Sequence, residues 1–172
     1  DLLIGIEDGG KRTSEIVKGL RNFSRMDQNV FRKADLNESL ESTLTLLHST
    51  YKNRIQIIRQ LAVIPEVDCF PGQVNQVFMN ILSNAVQAIT GEGKIWIKTL
   101  QVSNMVKISI KDTGSGMTDE VRKKIFDPFF TTKEVGVGTG LGLSTVLSIV
   151  RGHGGFVSVS STPYKGTEFK VY

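Results

Sequence analysis

The chain has 172 residues and a mass of 19.0 kDa, with 40% hydrophobic and 22% charged residues, which excludes disordered and collagen-like chains and allows one domain with a core plus an appendage. Lys and Arg outnumber Asp and Glu by 21 to 17, and the net charge of +4 is spread without blocks, which favours an anionic small ligand and gives little support to nucleic acid. The single Cys69 excludes an internal disulfide scaffold, and without Cys or His at metal-ligand spacing a zinc site is not expected either; a reducing compartment is.

The first element is a helix. Ile6, Thr13, Ile16, Val17, Leu20 and Phe23 recur at three- and four-residue steps with charged residues between them, giving one apolar stripe with nothing local to pack on. It reads as the second half of a helical hairpin, the alternative being an amphipathic helix lying on the domain. Asp35-x-x-Glu38 has capping-box spacing and opens a second helix carrying Leu40, Leu44 and Leu47. Ile55, Ile57 and Ile58 form a short strand. Pro71 starts a third helix, whose buried face is Val74, Val77, Phe78, Ile81, Leu82, Val86 and Ile89 and which Gly91 and Gly93 terminate.

From Lys94 the period becomes strand-like: Ile95, Ile97 and Thr99, then Val106, Ile108 and Ile110, with a polar turn at Ser103-Asn104, predict an antiparallel hairpin. Thr118 caps a short helix to about Ile125, and a Gly-rich stretch from Gly136 to Gly142 leads into an apolar helix from Leu143 to Val150. Strands at Phe156 to Ser160 and Thr167 to Tyr172 follow, joined by a turn at Pro163 to Gly166. Helices and strands do not alternate strictly, so the expected class is α+β, one mixed sheet with helices layered on one face. No apolar stretch approaches the roughly 18 to 20 residues that span a bilayer, and no signal peptide is seen; both ends look cut from a longer chain.

Four clusters carry chemistry. Asn80 and Asn84 are four apart and share one face of the third helix, where stacked carboxamides suit a metal–triphosphate, although paired Asn on a solvated face are common. Asp112-Thr-Gly114-Ser-Gly116-Met117 follows a strand. It reads either as a turn or as a buried carboxylate that accepts from the exocyclic amine of adenine and repels the carbonyl of guanine. In Ile125-Phe-Asp-Pro-Phe-Phe130-Thr-Thr132-Lys133 three aromatics suggest a core-anchored loop, while Lys133 beside two hydroxyls could equally meet a terminal phosphate. Gly138-Thr139-Gly140-Leu141-Gly142-Leu143-Ser144 opens a helix and offers backbone N–H groups to an anion. It lacks the βαβ context of a dinucleotide fold and the Lys-Ser/Thr of a P-loop.

In this order, the four clusters resemble the N box, first glycine box, F box and second glycine box of two-component sensor histidine kinases, within the wider gyrase, chaperone, kinase and mismatch-repair ATP-binding superfamily. His153-Gly-Gly-Phe and Gly166-Thr-Glu-Phe add to the likeness. The resemblance implies a Bergerat-type two-layer sandwich over residues 32–172. Residues 1–31 then hold the second helix of the dimerisation and phosphotransfer hairpin. It implies ATP and Mg²⁺ as cofactors, with Asn84 as metal ligand, Asn80 and Lys133 as catalytic residues and Asp112 on the adenine amine. Gly116 would let the base sit against the loop, and Gly114, Met117, Ile125, Phe130 and Thr132 would also contact the nucleotide. Gly138, Gly140 and Gly142 would line the phosphates at the helix start, in a lid from about Asp127 to Thr139, with Thr139, Leu141 and Leu143 also contacting the nucleotide. Thr167 matches as a hydroxyl near Asp112, and Gln87 stands where many relatives carry a basic residue, which weakens one phosphate contact.

The implied partners are a response-regulator receiver domain and a second copy of the full-length protein through the hairpin. The implied location is cytoplasmic, with any membrane attachment made by segments outside this chain. The acceptor motif, a His followed by an acidic residue, is absent; His48 and His153 stand in other elements, His153 as a helix C-cap. Two rivals are a superfamily ATPase, in which a Glu at the position of Asn80 activates water, and a non-catalytic nucleotide-sensing module.

Overall fold

A computed structural model describes residues 30–133 and 139–172. The expected N-terminal helix and Gly138 lie outside the described residues. In chain order the elements are β1 (Arg32–Ala34), α1 (Leu36–Tyr51), β2 (Ile55–Leu61), β3 (Val67–Cys69), α2 (Pro71–Ala88), β4 (Gly93–Val102), β5 (Met105–Asp112), α3 (Asp119–Lys124), α4 (Gly142–Gly152), β6 (Val157–Thr162) and β7 (Gly166–Val171).

β2, β4, β5, β7 and β6 form one five-stranded sheet in that order, with β2 parallel to β4 and every other pair antiparallel. This is the mixed sheet that the α+β reading expects, and α2 packs between α1 and α4 over it. Alternation decides which face is buried. Ile95, Ile97 and Thr99 on β4, Ile108 and Ile110 on β5, and Phe169 and Val171 on β7 point into the core, meeting Phe78, Ile81, Leu82 and Val146 from the helices. Asp112 is two residues beyond Ile110 and so falls on the same inward face, where it is 3% exposed. A carboxylate is carried into the core because the strand's period continues through it.

The helix ends follow the expected chemistry in part. Asp35 caps α1, accepting from the N–H groups of Asn37 at 2.8 Å and Glu38 at 3.3 Å, and Thr118 Oγ1 accepts from Val121 N–H at the start of α3. α2 has no side-chain cap at Phe70; the Phe70 N–H donates instead to His153 Nε2 at 3.0 Å, while the other ring nitrogen, Nδ1, bonds Ile149 O at 2.8 Å. β1 and β3 pair antiparallel as a separate ribbon that sequence periodicity did not predict. Gly93, expected to help end α2, begins β4.

Candidate functional site

The C-terminal half of α2, the end of β5 and the start of α4 surround a cavity of about 460 Å³. Asn80, Asn84 and Gln87 line it from α2, since steps of four and three keep them on one stripe. Asp112, Gly116 and Met117 line it from β5 and the loop after it, Ile125, Phe130, Thr132 and Lys133 from the next segment, Thr139, Gly140, Gly142 and Leu143 from the glycine-rich turn, and Thr167 from β7. Gly114 and Leu141 are not among the lining residues, and the Leu141 side chain is 39% exposed. A second cavity of about 350 Å³, bordered by Cys69, Val74, Val77, Met105 and Val150, occupies the opposite ends of the same two helices.

At the floor, Asp112 Oδ1 accepts from Gly114 N–H at 2.7 Å and Thr167 N–H at 3.2 Å. Both bonds fall on one oxygen; among the described residues no protein donor reaches Oδ2. Burial pushes the Asp112 carboxyl above its ordinary range, against the two backbone donors that favour its charge. The Thr167 hydroxyl, expected near the carboxylate, pairs with Ser161 Oγ at 2.9 Å, and the residue reaches Asp112 through its backbone instead.

The glycines owe their positions partly to packing. Gly116 has φ +63°, and a Cβ there would lie 2.0 Å from Thr162 O, so its close approach is to the β6–β7 turn. Gly140 has φ +66°, and a Cβ would come within 2.3 Å of the Phe129 carbonyl carbon, which locks the glycine-rich turn onto the aromatic segment. Among the described residues no side chain caps the start of α4 at Gly142, and Gly142 and Leu143 border the cavity with the positive end of the helix. Asn80 Nδ2 donates to Gly142 O at 3.1 Å and pins this start to α2. Lys133 Nζ lies 3.3 Å from Asn84 Oδ1 and also donates to Gln87 Oε1.

Sequence reasoning missed Arg54. From the turn before β2, its Nη1 and Nη2 donate to Ile89 O at 2.5 Å and Val86 O at 2.9 Å, and Ser115 N–H donates to Ala88 O at 3.0 Å. Together they close the end of α2 that carries Gln87 and tie it to the loop after Asp112.

A carboxylate thus stands at one end of the cavity, and a helix start, amides and an ammonium stand at the other. The chain belongs to the histidine kinase-, DNA gyrase B- and HSP90-like ATPase family, whose model matches residues 71–172. Within it, the domain is of the sensor-histidine-kinase type. It is 39% identical over 161 residues to the signal transduction histidine-protein kinase AtoS of Escherichia coli, an alignment covering 92% of this chain and 26% of that protein. It is 34% identical over 163 residues to the sensor histidine kinase ZraS of Escherichia coli, covering 94% of this chain and 35% of that protein. The chain thus spans about a quarter to a third of the length of these two relatives. The nucleotide-free catalytic domain of the histidine kinase ThkA superposes with a TM-score of 0.74 at 29% identity, over 83% of this chain and 95% of that one. The fold implies ATP and Mg²⁺ as its ligands.

Proposed function

We propose that this domain binds Mg-ATP in the cavity and transfers its γ-phosphoryl group to a histidine on a helical hairpin of the parent protein, from which a response-regulator aspartate takes it. The observation that carries the reading is Asp112: a buried carboxylate with one oxygen taking two backbone donors and the other without a donor among the described residues, in the wall of a cavity that also borders the start of α4. The adenine amine supplies the donor that Oδ2 lacks, and guanine sets a carbonyl against it. Backbone N–H groups of Gly142 and Leu143 meet the phosphates.

The amide oxygens of Asn84 and Gln87 already face a cation, Lys133, so the residues present fit a hard metal ion, with Asn84 as its ligand. Magnesium, when bound, neutralises charge on the phosphates. Asn80 holds the start of α4 and cannot take a proton from water, which supports transfer over hydrolysis. The hairpin, dimerisation through it, the response regulator and a cytoplasmic location rest on the kinship with sensor kinases; among the described residues no helix is long and apolar enough to cross a membrane.

The test is transfer of labelled γ-phosphate to a separately prepared helical hairpin carrying the parent's acceptor histidine. Acid-labile, base-stable label is expected on the hairpin with ATP, little with GTP, and a loss of roughly ten- to a hundredfold in efficiency with Asp112→Ala, the worth of a hydrogen bond to a charged group. An Asp112→Ala domain that transfers as well as the parent, or equal use of GTP, would overturn the reading.

A further inference from the structure

We infer that the Lys133 ammonium is the resident cation of this site: before nucleotide arrives it occupies the amide-oxygen position that the metal ion takes afterwards, and the two exchange. The inference rests on the nucleotide reading above.

Asn84 and Gln87 are three residues apart on α2, so their side chains leave one helix face. Both turn their oxygens to a single point, where Lys133 Nζ sits 3.3 Å from Asn84 Oδ1 and donates also to Gln87 Oε1. The Gln87 amide is held in that sense because its Nε2 donates to Ser83 Oγ at 3.2 Å. On the other side, the Lys133 N–H donates to Thr131 Oγ1 at 3.1 Å, which sets where the lysine side chain leaves the loop. Two neutral oxygens converging on an ammonium are also a donor set for a small hard cation. Like charges repel, so one cation holds the pair of oxygens at a time. A glutamine at position 87 is what permits this arrangement; a lysine or arginine in its place would drive Lys133 away.

A nucleotide arriving without metal therefore still meets a positive charge beside its phosphates, supplied by Lys133. A nucleotide arriving with magnesium displaces the ammonium from the amides, and the metal ion then carries that positive charge. This differs from a lysine that only contacts phosphate, whose removal weakens binding equally with and without metal.

Calorimetric titration of ADP into the domain, in excess Mg²⁺ and in EDTA, separates the two. The ratio of Kd without metal to Kd with metal is expected to rise about tenfold in Lys133→Met and in Lys133→Gln, because only the metal-free complex loses its sole cation at the amides. ADP binding with the same ratio in the parent and both variants overturns this inference and leaves the nucleotide reading standing. No ADP binding by the parent domain in either condition overturns both.

Discussion

Asp112 is a residue whose environment works against its charge. Burial favours the neutral carboxyl, and Gly114 and Thr167 N–H groups offset part of that on one oxygen only. The folded protein therefore holds this proton more tightly than the unfolded chain does. The cost of burying the ionised carboxylate is felt at neutral pH and disappears as pH falls through the raised pKa. The adenine recognition proposed for it runs the other way, since it needs an ionised acceptor. ATP affinity is expected to decline as pH is lowered from neutrality, starting above the ordinary aspartate value of 3.8, while Asp112→Asn binds weakly with a flat profile over the same range. Titrations at a series of pH values check this; a sloping profile in the asparagine variant would assign the titration to another group. This residue was legible in advance because the alternation of Ile108 and Ile110 carries through to it. Gly116 was less so: sequence suggested room for a base, whereas the atom it must avoid, Thr162 O, belongs to the end of β6, over forty residues away in the chain, and local spacing holds no trace of that contact.

At the scale of elements, the helix that presents Asn80, Asn84 and Gln87 depends on a residue outside it. The last carbonyls of any helix lack intrahelical donors, and α2 has neither a basic residue in its last turn nor a C-terminal cap of its own. Arg54 supplies two donors from the turn before β2. Arg54→Ala is expected to lower stability by about 1 to 3 kcal/mol, the cost of leaving partly buried carbonyls unpaired, which in a domain of this size lowers Tm by roughly 2 to 12 °C. Thermal unfolding measures it, and an unchanged Tm would show that water replaces the guanidinium. Arg54 was invisible in the sequence for the reason β1 and β3 were. Three-residue strands show no alternation, and their pairing of Arg32 with Cys69 joins segments separated by a whole helix and strand. Long periodic elements such as α2, β4 and β5 were readable because their own repeat carries the information.

For the molecule as a whole, the distribution of histidines decides what the chain does alone. His48 lies exposed near the end of α1, edge-on to Tyr51 at 5.5 Å, and does not line the cavity that holds Asp112. His153 has both ring nitrogens engaged, by Phe70 N–H and Ile149 O, beside the other cavity. Neither offers a nucleophile to a bound phosphoryl group. With labelled ATP and no hairpin added, the chain is expected to acquire no acid-labile label, and mass spectrometry of the recovered protein would detect it. Phosphate on His48 or His153 would mean that a second copy brings that residue to the site.

β7 lies between β5 and β6 in the sheet, and its Thr167 N–H is one of the two donors on Asp112. Of the described strands it is the last to leave the ribosome. Without β7, Asp112 Oδ1 keeps only the Gly114 donor and the sheet stands open at β5. The proposed base acceptor is thus completed only when β7 pairs with a strand more than fifty residues earlier in the chain.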